Sequence, residues 1–126
     1  MIPIAKPNLG SLELSAIERV LKTGWIAQGP EVERFEIEFA NYVGCDYACA
    51  VANGTAAIHL ALKAAGVKQG DEVITVSYSF IATANAIRYC GAIPVFIDIN
   101  PVTQNIEPDH IENVVSEKTT AILCVH

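Results

Sequence analysis

From residue 46 onward the chain repeats one pattern, a short apolar run of strand length followed by a stretch with helical spacing. Four runs fit strands: Tyr47–Ala52, Glu72–Val76, Ile93–Ile97 and Thr120–Val125. Between them, Thr55–Ala65 reads as an alanine- and leucine-rich helix closed by Gly66, and Ser79–Tyr89 as the next helix. Glu107-Pro108 opens a third that runs to about Val115. Apolar strands alternating with helices predict an α/β fold, a mostly parallel sheet with helices on both faces. Residues 1–45 have a different rhythm. Ser11 can cap a helix to about Thr23 that aligns Leu14, Ile17, Val20 and Leu21, and Gly24 ends it. Pro30 opens a second helix that aligns Val32, Phe35, Phe39 and Val43, closed by Gly44. The expected organisation is one incomplete domain over 1–126, with amino-terminal helices in 1–45 and an alternating core in 46–126.

Composition removes several classes. The 126 residues suffice for one domain. The hydrophobic share of 52% implies helices buried on both faces, or a surface covered by something else. The apolar runs fall well short of the ~20 residues of a membrane span. The start, Met1-Ile2-Pro3-Ile4-Ala5-Lys6-Pro7, lacks the basic and apolar regions of a signal peptide, so a cytoplasmic location is expected. A net charge of −6 with scattered Lys and Arg argues against nucleic acid. Cys45, Cys49, Cys90 and Cys124 do not form a zinc set and are expected to be small apolar core residues, so no metal site is predicted.

Two strand-to-helix loops could carry chemistry. In Asn53-Gly54-Thr55-Ala56-Ala57, Gly54 allows close backbone approach, and the Thr55 and Ala56 amides lie in a first helical turn, at the positive end of the dipole. That suits a phosphate, although plain helix capping by Asn53 or Thr55 explains the same spacing. Neither GxGxxG nor a Walker loop is present, so a nucleotide-binding dehydrogenase-type domain has little support. In Ser77-Tyr78-Ser79-Phe80-Ile81-Ala82-Thr83-Ala84-Asn85, Tyr78 and Phe80 stand where a flat ligand could stack, or where aromatics fill a core. A phosphate site beside an aromatic platform suggests a flat, phosphorylated cofactor.

Five ordered segments resemble the DegT/DnrJ/EryC1/StrS aminotransferase family. They are Gly24-Trp25-Ile26-Ala27-Gln28-Gly29-Pro30, the run from Asn53 to Leu62, the run from Ser77 to Ala86, Gly91–Asp98 and Thr119–His126. The stretch from Ala84 to Gly91 is most similar to perosamine-synthase-like members. The resemblance implies part of the large domain of the aspartate-aminotransferase, type I pyridoxal-phosphate fold. It implies that Gly54, Thr55 and Ala56 bind the phosphate of pyridoxal phosphate and that Phe80 stacks on its ring. It further implies a homodimer with the site at the subunit interface, near which Trp25 would lie. The substrates implied are a nucleotide-linked keto-sugar and an amino donor such as glutamate, in amino-sugar and polysaccharide biosynthesis, lipopolysaccharide included.

The family's chemistry needs a lysine bound to the cofactor as a Schiff base and an acid paired with the ring nitrogen. The resemblance places both beyond His126. Lys6, Lys22, Lys63, Lys68 and Lys118 read as solvated surface, and Asp98, His59 and His126 match neither role. No catalytic residue is therefore assigned, and the 126-residue chain is expected to be inactive by itself. A non-catalytic binding or dimerisation module derived from the family is the alternative.

Overall fold

The structure, a computed structural model, describes residues 5–126. The first four residues of the stretch read above for a signal peptide lie outside the described residues. The chain divides into two compact units, one up to Ala50 and the other Val51–His126.

The first unit holds α1 (Ser11–Thr23) and α2 (Pro30–Val43). The residue at the α1 cap is Gly10, not Ser11, which is already helical. Glycine has no side chain to cap with, and the reciprocal bond remains: the Gly10 N–H donates to Glu13 Oε2 at 2.7 Å. That bond holds the Glu13 carboxyl below the usual carboxylate range. Pro30 at the start of α2 loses no helical bond, because a first-turn N–H has no intrahelical acceptor. Gly24 (φ 74°) and Gly44 (φ 76°) turn the chain out of the two helices in the left-handed region. Arg19 pairs with Glu31 between them. The α1 stripe of Leu14, Ile17 and Leu21 is exposed, and in α2 only Ala40 is buried.

Tyr47–Ala52, expected as a strand, is not one. A strand needs a ladder, and the Ala50 N–H donates instead to Glu36 Oε1 at 2.7 Å, while Tyr47 points into solvent. The core expected of the cysteines is also corrected. Cys90 alone is buried, and Cys45, Cys49 and Cys124 are exposed because they lie in irregular segments outside the packed layers.

The second unit contains α3 (Gly54–Ala64), β1 (Glu72–Val76), α4 (Ala82–Tyr89), β2 (Ile93–Ile97) and β3 (Thr119–Ile122). The three strands form a parallel sheet in the order β2-β1-β3. Val73 pairs with Pro94 on one side and Ala121 on the other, with a register irregularity between Glu72 and Val73 against β3. Residues 73–76 of the central strand are buried, as a parallel strand covered on both faces requires. Thr75 is fully buried, and its hydroxyl donates to the Leu123 carbonyl at 2.8 Å, so its burial leaves no polar group unpaired.

The sheet faces are covered differently. On one, Val73 packs with Leu62 of α3, Ala86 and Ile87 of α4, and Val67, Cys90 and Ala92. On the other, Ile74, Val76 and Ile97 pack with Ile99, Ile106, Ile111 and Val114. The helix expected from Glu107-Pro108 to Val115 is only a 3₁₀ turn, Pro108–His110, followed by further turns. Its apolar residues still reach the sheet, but Asn100 organises the segment before it. The Asn100 Oδ1 accepts from the Val102 and Thr103 N–H groups, and its Nδ2 donates to Glu107 Oε2 at 2.7 Å. An asparagine turn of this kind competes with helix for the same backbone donors.

Asp71 ties the α3–β1 connection. Its Oδ2 accepts from the Lys68 N–H at 3.0 Å, and that bond is the main reason its carboxyl lies below the usual range. A carboxyl whose folded pKa is depressed contributes stability above its unfolded value of about 4 and loses it as pH falls through the folded value. Asp71→Asn is thus expected to weaken the acid dependence of unfolding below pH ~4, while leaving the neutral-pH slope unchanged. Denaturant melts at stepped pH measure this, and an unaltered acid limb would contradict it.

Candidate functional site

Because α3 leads into the start of β1 and α4 leaves from its end, both helices begin on the side of the sheet where the strands finish. That edge is the usual ligand edge of an open α/β sheet.

Asn53 is the N-cap of α3. Its extended backbone turns the chain into the helix, and its Oδ1 accepts from the Ala56 N–H at 2.9 Å. Its carbonyl accepts the Ala57 N–H at 3.1 Å. Of the three residues expected to hold a phosphate, Ala56 therefore has its amide engaged by the cap, whereas Gly54 and Thr55 occupy first-turn positions whose amides have no intrahelical acceptor. At Gly54 neither backbone angle nor crowding calls for glycine. It has no left-handed φ, and a Cβ there would meet nothing within 4 Å. The space above this turn is open. Thr55 and Ala56 line a concavity of about 430 Å³ with Asn53, His59 and Tyr89. The rings of His59 and Tyr89 meet edge to face at 5.8 Å, joining α3 to α4.

Phe80 lies elsewhere. It is 78% exposed and lines a second concavity of about 240 Å³ with Val76, Ser77, Ser79, Ile81, Thr83, Ala84 and Phe96. The structure thus brings Thr55 and Ala56 together and puts Phe80 on a neighbouring loop in its own hollow. The helix expected from Ser79 begins only at Ala82, so Phe80 belongs to the loop leaving β1. Tyr78 is exposed as well. A contact not anticipated from the sequence is that of the Ser79 and Thr83 hydroxyls, 2.6 Å apart. A serine and a threonine four residues apart at a helix start are its signal.

Other candidates lie apart from these hollows. The Asp98 carboxylate accepts the adjacent Ile99 N–H at 2.9 Å. Lys6, Lys22, Lys63, Lys68 and Lys118 are all exposed, and none lines either concavity. In the first unit, Trp25 lines a hollow with Val20, Ile26 and Val32. Gly29 permits that placement, since a Cβ on it would stand 3.1 Å from the Trp25 Cβ. Among the described residues no group of His, Cys, Asp and Glu could hold a metal, and no helix is long and apolar enough to cross a membrane.

The model of the DegT/DnrJ/EryC1/StrS aminotransferase family matches residues 7–126. The spore coat polysaccharide biosynthesis protein SpsC of Bacillus subtilis is 46% identical over 125 residues, which are 99% of this chain and 32% of SpsC. The solved aminotransferase of Psychrobacter cryohalolentis is 39% identical, with a TM-score of 0.90 over 98% of this chain and 32% of its own. NtdA of Bacillus subtilis, solved with bound cofactor PMP, is 42% identical, with a TM-score of 0.86 over 90% of this chain and 26% of its own. The chain spans about a third of the length of such relatives. Its α/β sheet is that of the type I pyridoxal-phosphate aminotransferases. By sequence over nearly all its length, and by the fold that carries those residues, this chain belongs to the DegT/DnrJ/EryC1/StrS aminotransferase family.

Proposed function

We propose that this chain is the cofactor-cradling portion of a pyridoxal-phosphate-dependent aminotransferase that acts on nucleotide-linked keto-sugars, with glutamate or a similar amino donor. The observation that carries this reading is the first turn of α3, where the Gly54 and Thr55 amides have no intrahelical acceptor and a Cβ on Gly54 would meet nothing within 4 Å. Oriented N–H groups at the positive end of a helix favour an anion, and the absent side chain lets a phosphate approach the backbone. In this reading the Gly54 and Thr55 amides and the Thr55 hydroxyl donate to the phosphate. The Ala56 amide is shared between the phosphate and Asn53 Oδ1. Phe80, exposed at the end of β1, offers its face to the pyridine ring and keeps water from it.

When bound, the cofactor supplies the electron sink that lets an amino group leave one carbon and join another. The residues present bind and orient. None of the five lysines stands at either hollow, so the proton-shuttling lysine and the acid at the ring nitrogen are proposed to come from outside these 126 residues, and the chain alone to be inactive. The enzyme is proposed to be a cytoplasmic homodimer serving amino-sugar and polysaccharide biosynthesis. The similarity to SpsC, named for spore coat polysaccharide biosynthesis, supports that setting.

Titration of the chain with pyridoxal phosphate and with pyridoxal tests the reading. Reversible binding of the phosphorylated form, at least about tenfold tighter than pyridoxal, is expected from charge-assisted contacts. Borohydride treatment is expected to leave no lysine carrying cofactor mass. Equal affinity for both compounds would remove the phosphate cradle, and one specifically modified lysine would remove the proposal that the nucleophile lies elsewhere.

A further inference from the structure

Ser79 and Thr83 bracket Phe80 in an unusual way. Thr83 is 6% exposed, yet the aromatic residue between the two hydroxyls is turned outward. The Phe80 carbonyl accepts from the Thr83 N–H at 3.0 Å and from the Ser79 hydroxyl at 3.4 Å. A serine hydroxyl has one proton. With that proton directed at the Phe80 carbonyl, the 2.6 Å contact is completed by the Thr83 hydroxyl donating to Ser79 Oγ. The three bonds close a ring around the peptide of Phe80. On its outer side, the Ser79 N–H donates to the Ser77 carbonyl at 2.9 Å.

Ordinary helix capping does not account for this arrangement. No side chain caps α4, and the short contact of the Thr83 hydroxyl is to the Ser79 hydroxyl, not to a first-turn amide. Core packing does not account for the direction of Phe80 either, because it belongs to neither core cluster. Phe80 lines the apolar hollow with Ala84 and Phe96 yet is 78% exposed, and further collapse of its ring into that hollow would lower its free energy. Something must oppose that collapse and the disorder natural to a loop. A nearly buried threonine hydroxyl needs a partner, and the one it has fixes the loop.

We propose that Ser79 and Thr83 form a hydroxyl latch, a pair of positioning residues that holds Phe80 presented for a flat ring. The functional part of this inference rests on the reading that Phe80 faces the cofactor ring. The latch itself is a property of the chain without ligand.

Hydrogen exchange measured by mass spectrometry on the chain without cofactor tests the latch. Thr83→Val removes the buried hydroxyl at nearly constant shape, Ser79→Ala removes its partner, and Thr83→Ser restores a hydroxyl. In the valine and alanine variants, exchange over residues 77–83 is expected to rise about fivefold to tenfold, with β1 unchanged and the serine variant near the parent rate. Unchanged loop exchange in both variants would overturn the latch. So would an equal rise in β1, which marks a general loosening. Should the valine variant fail to fold, Ser79→Ala, at a partly exposed position, decides alone. Pyridoxal phosphate affinity then separates the two readings. A looser loop with unchanged affinity keeps the latch and sinks the role of Phe80 at the ring. An unchanged loop sinks the latch and leaves that role standing.

Discussion

Replacing Ile87 by alanine is expected to remove about 2–5 kcal/mol of stability from the second unit. Ile87 is fully buried in α4, where it packs with Leu62, Val67 and Val73. Truncation takes away three carbons and leaves a void that these neighbours, held by a helix and a strand, cannot fill completely. Such a loss is a large part of the roughly 5–15 kcal/mol by which domains are stable. It would also reach the candidate site, since α4 follows the Phe80 loop and packs beside α3. Urea unfolding measures it, with Ile81→Ala as the control. Ile81 is 62% exposed at the start of the same helix, and its truncation is expected to cost less than about 0.5 kcal/mol. Equal shifts for the two variants would mean that the core is not where the fold places it.

At Gly54 the expected effects on folding and binding have opposite signs. Alanine there meets nothing within 4 Å and needs no left-handed backbone, so Gly54→Ala is expected to leave stability unchanged or raise it by up to about 1 kcal/mol. If the open space is where a phosphate approaches the α3 amides, the added methyl lengthens those contacts. Affinity for pyridoxal phosphate is then expected to fall at least about tenfold, as the loss of one or two charge-assisted hydrogen bonds implies. Equilibrium dialysis and a thermal melt on the same preparation read both effects. Unchanged affinity in a stabilised variant would show that Gly54 serves the helix start alone. A destabilised variant would contradict the local geometry.

Much of this architecture was legible in the sequence because its signals are local. Glycines placed where only a left-handed residue turns a helix out, at 24 and 44, gave two helix ends to the residue. The apolar runs at 72–76 and 93–97 became strands with the expected limits, because β-branched and apolar residues there are buried in a parallel ladder. Tyr47–Ala52 has the same local character and is no strand. Whether an apolar run pairs depends on a neighbour, and at Ala50 a glutamate side chain took the amide. The segment from Glu107 to Val115 departs from the helix its spacing predicts for a related reason. Its apolar spacing serves the sheet face, while the asparagine turn at Asn100 and Pro108 limit its helix to a single 3₁₀ turn.

The α3 turn could be read as a possible anion site from Asn53-Gly54-Thr55 alone, since capping and first-turn amides follow from residue types at fixed offsets. The open space over Gly54 could not, because it is a property of what lies around the glycine. By itself, then, the sequence determined the class of fold, the helix ends and the residues available for a cofactor. Tertiary structure alone decided that β1 lies between β2 and β3, that the space over Gly54 is open, and that Phe80 faces outward while Thr83 is buried. The physical reason is one of range. Backbone preference and hydrophobic period act within a few residues of chain, whereas strand order, open space and the direction of a side chain are set by groups that meet only when the chain has folded.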